Sequence, residues 1–176
     1  MSFEHHKVNL IDWIYFEGSG GQEHSVLLLG DKERIRPFAE YLEGRGQRVS
    51  TRLDDGSYQY ILIPCLTERV LMLFQGDIAG MFRSLSETWL LPGGRIIVGM
   101  ENPNDLDRLT CSISEDGIRY VAYHELSALR EELKAGYPES SEILFYPLPS
   151  LEMPVVMYTD SFLPGQAEVR AMASLT

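Results

Sequence analysis

The stretch Ser25-Val26-Leu27-Leu28-Leu29-Gly30 decides the fold that the sequence predicts. It is a short, continuous apolar run, which is typical of a strand buried on both faces of a parallel sheet. A helical stripe follows directly and ends near Gly44. The stripe consists of Ile35, Phe38, Ala39 and Leu42. Pro37 predicts that the regular part of this helix begins late.

Strands and helices continue to alternate along the chain. Strands are predicted at residues 49–53, 58–63, 95–100, 143–146 and 155–158, and helical stripes at 78–89 and 126–133. The last two strands are joined by eight residues, too few for a parallel crossover, which predicts an antiparallel hairpin. The pattern predicts an α/β, Rossmann-like three-layer sandwich with a mostly parallel sheet and this C-terminal hairpin.

Only the turn Asp54-Asp55-Gly56-Ser57 separates the second and third predicted strands. A parallel crossover normally needs a dozen or more residues, usually with a helix. We therefore expect a crossover helix to be missing at this point.

Composition limits the kind of protein and its partners. A length of 176 residues with 44% hydrophobic residues predicts a single globular domain, with an N-terminal extension at 1–24 and a tail that frays at 165–176. The net charge of -11 argues against nucleic acid and anionic membranes as partners. Two isolated cysteines, no apolar run of spanning length and no secretory leader predict a cytoplasmic protein without a metal site or a membrane span.

Three segments carry a resemblance to a known family. Leu90-Leu91-Pro92-Gly93-Gly94-Arg95-Ile96-Ile97-Val98 is similar to the "L-x-P-G-G-x-hydrophobic" helix-to-strand turn of the class I S-adenosylmethionine-dependent methyltransferases. Residues 98–102 and 145–158 resemble the branch of that family often found beside enzymes that assemble bacterial surface glycans. The resemblance covers residues 25–165. It implies a shortened methyltransferase-like topology, S-adenosylmethionine as cofactor, and a small-molecule or glycan-precursor substrate.

The resemblance also implies where the cofactor binds. The family's glycine-rich turn after the first strand corresponds to Gly30 and Asp31, and its ribose-binding carboxylate after the second strand corresponds to Asp54 or Asp55. The first turn keeps one glycine, with charged residues at the following positions, and Gln59 replaces an acidic residue ahead of the next strand. Asp54 and Asp55 also suit a plain Asp-Asp-Gly turn, an interpretation that the missing crossover favours.

The sequence identifies no catalytic residue, but it offers substrate-binding candidates. Glu101 and Asn102 follow a predicted central strand at the edge where α/β sheets bind ligands, although Asn102 also suits a helix cap. Tyr146 lies in the third family-like segment, residues 145–158. The proline-rich connection at 147–154 fits either a pocket wall or a contact with a protein partner, including a second copy of the chain.

Two functional hypotheses follow from these residues. The first is a methyltransferase-like protein that acts in glycan biosynthesis. The second is a noncatalytic binding or assembly module of the same fold that has lost its cofactor, as the single glycine and Gln59 suggest.

Overall fold

The structure, a computed structural model, describes residues 23–99, 130, 131, 133–135, 137, 141, 145–148 and 156–159. The chain divides into two compact units, Gly21–Glu139 and a unit that combines Met1–Gly20 with Ser140–Thr176. The larger unit contains the strands β1 (Ser25–Leu28), β2 (Arg48–Ser50), β3 (Tyr58–Ile63) and β4 (Leu90–Val98). Its helices are α1 (Lys32–Gly44), α2 (Glu68–Met72) and α3 (Ile78–Ser84), which continues as a π-helical turn, Leu85–Trp89.

The four strands form one parallel sheet in the order β2-β1-β3-β4. β1 is central, and its Val26 pairs with Val49 on one side and Tyr60 on the other. Val26, Leu27 and Leu28 have no exposed surface, as the continuous apolar run predicts. The α/β fold with a parallel sheet is therefore confirmed.

α1 follows β1 after a turn of three residues and ends at Gly44, as its stripe predicts. Ile35 and Leu42 are its buried side chains. The expected late start is wrong, because the helix begins at Lys32 and contains Pro37. Pro37 lacks only one backbone donor, and packing of the apolar stripe outweighs that loss.

The two faces of the sheet carry different helices. On one face, Leu27, Leu29, Ile61 and Ile63 form a buried cluster with residues of α2, α3 and the π-helical turn. Side chains alternate along a strand, so Val26, Leu28 and Leu62 face the other way. The buried residues of α1 are not part of the first cluster, so α1 covers this second face.

The connection from β2 to β3 contains no helix, as the sequence predicts. β2 ends at Ser50, earlier than expected, and residues 51–57 carry the chain past β1 to its other side. Seven extended residues reach roughly 23 Å, more than the roughly 10 Å that separates strands on either side of a central one. Leu53, which was predicted to lie in β2, instead packs against the α2 and α3 cluster.

The stretch that carries the family resemblance lies inside β4. The sequence predicts that Pro92-Gly93-Gly94 ends the preceding helix, but the helix ends at Trp89 and the strand begins at Leu90. The strand's register against β3 shifts between the pair Tyr58 and Leu90 and the pair Tyr60 and Arg95. The Pro-Gly-Gly segment is thus a bulge, which glycine permits.

The smaller unit contributes β5 (Phe145–Leu148) and β6 (Val156–Thr159). These strands pair antiparallel, with Tyr146 opposite Tyr158. The predicted hairpin is confirmed, one or two residues later than expected. It forms a separate two-stranded sheet.

In the larger unit, residues 130, 131 and 133–135 are helical, which agrees with the stripe predicted at 126–133. No helix among the described residues is long and apolar enough to cross a membrane.

The bulge in β4 can be tested with two adjacent glycines. A Cβ on Gly94 would come within 2.8 Å of the backbone oxygens of Gln59 and Leu91. We expect Gly94→Ala to lower the free energy of unfolding by roughly 2–3 kcal/mol, because the neighbouring backbone must move. Gly93 has open space around it and a φ of 75°, so Gly93→Ala should cost only about 1 kcal/mol. Urea denaturation measures both, and an equal or smaller loss for Gly94→Ala would contradict the bulge geometry.

Candidate functional site

The candidate site lies at the carboxyl ends of β1 and β3. From β1 the chain passes through α1 to β2 on one side, and from β3 it passes through α2 and α3 to β4 on the other side, so these two neighbouring strands lead in opposite directions across the sheet. Open α/β sheets bind ligands at such a switch point, just beyond the carboxyl ends of the strands. Backbone hydrogen bonds hold this edge together, from Leu29 N to Leu62 O (2.9 Å) and from Gly99 N to Ile63 O (2.8 Å). The site therefore rests on rigid strand ends.

Gly30 is the first residue past this edge. A Cβ at its position would lie 2.5 Å from Cγ2 of Ile35, a buried residue of α1. The missing side chain therefore allows α1 to pack close to the end of β1. This position needs glycine for the packing of the helix, whether or not a ligand approaches the turn.

Asp31 follows Gly30 and is the N-cap residue of α1. Its carbonyl accepts hydrogen bonds from the backbone N–H groups of Arg34 (2.9 Å) and Ile35 (3.0 Å). Its side chain makes no capping hydrogen bond. The carboxylate is free for another role, although it is only 8% exposed.

The Asp31 carboxylate has one charged partner. Arg69 donates a hydrogen bond from Nη1 to Oδ1 at 2.6 Å. The other oxygen, Oδ2, is buried and accepts no hydrogen bond from any residue that the structure describes. A buried carboxylate oxygen without a donor is costly, so this atom is a ready acceptor for a ligand's N–H, O–H or cationic group.

Arg69 reaches Asp31 because α2 begins immediately beyond β3. Thr67 is buried and caps this short helix, its Oγ1 accepting a hydrogen bond from the N–H of Val70 at 3.4 Å. The cap places Arg69 in the first turn of α2, from which its guanidinium reaches Asp31 past the carboxyl end of β1. The guanidinium is otherwise exposed, since 81% of the Arg69 side chain is open to solvent.

Asp54 lies elsewhere in the fold. Its carboxylate accepts hydrogen bonds from the hydroxyl of Tyr58, at the start of β3, and from the N–H of Gly56 (2.9 Å). Its carbonyl accepts one from Nε1 of Trp89 (2.6 Å), just before β4. Among the described residues, no hydrogen bond or ion pair joins Asp54 to Gly30 or Asp31, which follow the opposite end of the neighbouring strand.

These bonds explain the electrostatics of Asp54. The Tyr58 hydroxyl, and next the Gly56 amide, hold the pKa of the Asp54 carboxyl below its ordinary value of 3.8. Burial and the hydrogen bond to Asp54 raise the pKa of Tyr58 above its ordinary 10.0. Both shifts favour a carboxylate beside a neutral phenol. Asp54 thus holds the connector between β2 and β3 in place through its hydrogen bonds to Tyr58 and Trp89.

The remaining predicted site residues are dispersed or outside the described residues. Asp55 is exposed in the connector. Glu101 and Asn102 lie outside the described residues, two and three positions beyond Gly99. Tyr146 lies in β5, in the other unit. Within the described part of the chain, no group of three metal-ligating side chains occurs.

Arg69 and Thr67 were not predicted as site residues. The sequence contains one usable signal, a threonine before a short apolar stretch, which is typical of an N-cap. The pairing of Arg69 with Asp31 spans 38 positions in the chain and depends on β1 and β3 being neighbours. No local pattern shows that relation.

No protein-family model, curated protein or solved structure matches the chain.

The structural role of Gly30 can be tested against Gly44, at the other end of α1. Gly30→Ala should lower the free energy of unfolding by roughly 1–3 kcal/mol, because Ile35 must move aside. A Cβ on Gly44 meets nothing within 4 Å, so Gly44→Ala should be neutral or stabilise by up to about 1 kcal/mol. Chemical denaturation distinguishes the two. A Gly30→Ala protein as stable as the wild type would show that Ile35 does not pack against this turn.

The Tyr58 and Asp54 pair predicts a defined pH dependence. Tyr58→Phe should lower stability at neutral pH because Asp54 loses its principal donor. The folded-state pKa of Asp54 is depressed, so this stabilisation is present above pH 3.8 and is lost as the pH falls through the lower, folded value. At the alkaline end, the raised pKa of Tyr58 means that the wild type loses stability as the pH rises past 10.0, whereas the phenylalanine variant is spared this loss.

Urea unfolding midpoints measured across this range give the stability difference between the two proteins. The stability difference between the wild type and Tyr58→Phe should become smaller at both the acidic and the alkaline end of the pH range. Tyr41→Phe, on α1, is the control, and its difference from the wild type should not follow the Asp54 titration. A Tyr58→Phe difference that is constant from neutral pH to well below 3.8 would contradict the coupling.

Proposed function

We propose that the edge formed by Gly30, Asp31 and Arg69 binds S-adenosylmethionine, in a methyltransferase-like protein that acts on a glycan precursor. One observation carries the binding proposal, the buried Asp31 carboxylate whose Oδ2 has no donor among the described residues. Its position at a switch point between parallel strands supports a ligand there. The nature of the acceptor rests only on the sequence resemblance of residues 98–102 and 145–158.

The residues present fit one end of this cofactor. S-adenosylmethionine carries an ammonium and a carboxylate group at its amino-acid end, and Asp31 would hold the ammonium through Oδ2 by a charge-assisted hydrogen bond. When bound, the cofactor supplies a methyl group on a sulfonium for transfer to a hydroxyl or amine. The protein's contribution would be to fix the cofactor against the strand ends, because correct positioning supplies much of the rate in such transfers.

The other end of the cofactor lacks an obvious partner. Of the two carboxylates expected to bind the ribose, Asp54 already accepts hydrogen bonds from Tyr58, Gly56 and Ser50, and Asp55 is exposed in the same connector. This observation favours a second candidate function, a noncatalytic binding or assembly module that keeps the fold without using the cofactor. The two functions differ in one measurable property, the affinity for S-adenosylmethionine.

Calorimetric titration with S-adenosylmethionine and S-adenosylhomocysteine tests the proposal, since both carry the amino-acid ammonium. The wild type should bind both, and saturating ligand should raise the melting temperature. Asp31→Asn should weaken binding by about tenfold or more, because a hydrogen bond to a charged group contributes roughly 1.5–3 kcal/mol.

Glu40→Gln is the matched control, because it removes the same charge from an exposed position on α1 and should leave the affinity unchanged. Absence of binding at millimolar ligand would reject the enzyme and favour the noncatalytic module. Equal affinities for Asp31→Asn and the wild type would place the ligand away from this edge.

A further inference from the structure

The ion pair between Asp31 and Arg69 is asymmetric. The carboxylate is 8% exposed, whereas the arginine side chain is 81% exposed. Arg69 therefore remains largely hydrated while it touches Asp31, and its own hydration changes little when it moves into solvent. Asp31 has no such alternative, because removing its cation leaves a buried charge without compensation.

The same asymmetry shows that the carboxylate can be reached from outside. An exposed guanidinium touches Oδ1 at 2.6 Å, so Asp31 lies directly beneath the surface at the end of an open approach. A group of similar size and charge can use that approach once Arg69 has left it. The second oxygen, Oδ2, offers such a group a further hydrogen bond that Arg69 does not make.

The charge of the chain and of Asp31 determines which ligands can replace Arg69. The chain carries a net charge of -11, which attracts cations and repels phosphates over the whole surface. At the site itself, the carboxylate of Asp31 opposes any anion that approaches the first turn of α1. Phosphate-bearing nucleotides are therefore poor candidates, and organic cations are good ones.

We infer that Asp31 is a receiving site for an organic cation, a primary ammonium or guanidinium group, and that Arg69 is a resident cation which the ligand displaces. This inference rests on the proposed binding edge, but not on S-adenosylmethionine being the ligand. Arg69 then competes with the ligand for Asp31. The apparent affinity for the ligand equals the intrinsic affinity multiplied by the fraction of time that Arg69 leaves Asp31 free.

Rescue by small cations tests the receiving site without any cofactor. Arg69→Ala should melt at a lower temperature than the wild type because Asp31 loses its partner. Ethylguanidinium or methylammonium at millimolar concentration should restore about half of the lost melting temperature or more, through binding to the folded state, whereas potassium chloride at equal ionic strength should not.

The double variant Asp31→Asn with Arg69→Ala should not respond to either cation, and Arg69→Lys should melt close to the wild type without rescue. If Arg69→Ala does not fold, Arg69→Gln, which keeps a longer side chain, serves in its place. An Arg69→Ala or Arg69→Gln protein that is as stable as the wild type, or that the cations do not rescue, overturns the inference. Stabilisation of the wild type by inorganic phosphate, but not by these cations, also overturns it.

Calorimetric titration of the position 31 and position 69 variants with S-adenosylmethionine distinguishes this inference from the proposed function. If Arg69 competes, Arg69→Ala should bind S-adenosylmethionine about threefold or more tightly than the wild type. Weaker binding would make Arg69 a ligand-binding residue and overturn displacement, even if the proposed function holds. Cation rescue without S-adenosylmethionine binding in any variant would reject the cofactor and leave the receiving site supported.

Discussion

β1 hydrogen-bonds to a parallel strand on each side, with Val26 paired to Val49 and to Tyr60. This double pairing covers both edges of the strand, and the helices packed on the sheet bury its faces. It also means that the chain crosses the sheet in one direction through α1 and returns in the other through the connector after β2. α1 and α2 then cover opposite faces of the sheet, and Asp31 lies at the carboxyl end of β1, where the connections to these helices diverge.

The short connector between β2 and β3 links the shape of the sheet to the composition of the site. In place of a helix, it has Leu53 packed on the core and Asp54 bonded to Tyr58 and Trp89. These contacts hold the connector against the sheet, and they use the oxygens of Asp54, one of the two carboxylates that the resemblance assigns to a ribose. The missing helix and the hydrogen bonds of Asp54 thus belong to the same short connector.

The sequence predicts the regular parts of this fold well. The strand Tyr58–Ile63, the helix after β1, the missing crossover helix and the terminal hairpin all follow from apolar runs, periodicity and loop length. Predictions were wrong where tertiary packing overrides a local signal, as at Pro37 inside α1 and at the glycines that lie within β4 instead of before it. Hydrophobic periodicity and turn-forming residues act over a few positions. The helix at Pro37 and the glycines within β4 depend instead on packing and pairing with other elements of the fold.

The sequence likewise predicted some residues of the candidate site and missed others. Gly30 and Asp31 were named because the family resemblance assigns the cofactor to the turn after the first strand. Arg69 could not be found, since it comes close only when β3 pairs with β1. The role of Asp54 was undecided until the structure gave its partners, because an Asp-Asp-Gly sequence suits both a turn and a binding site.

Stability alone does not explain why Asp31 is charged. A buried ion pair is often no more stabilising than apolar residues of similar volume, because desolvation opposes the attraction. Here the attraction is weaker than usual, since the arginine is mostly in water, and one carboxylate oxygen lacks a donor among the described residues. What Asp31 lacks among these residues is therefore a second donor, on Oδ2, and not a positive charge, which Arg69 already supplies.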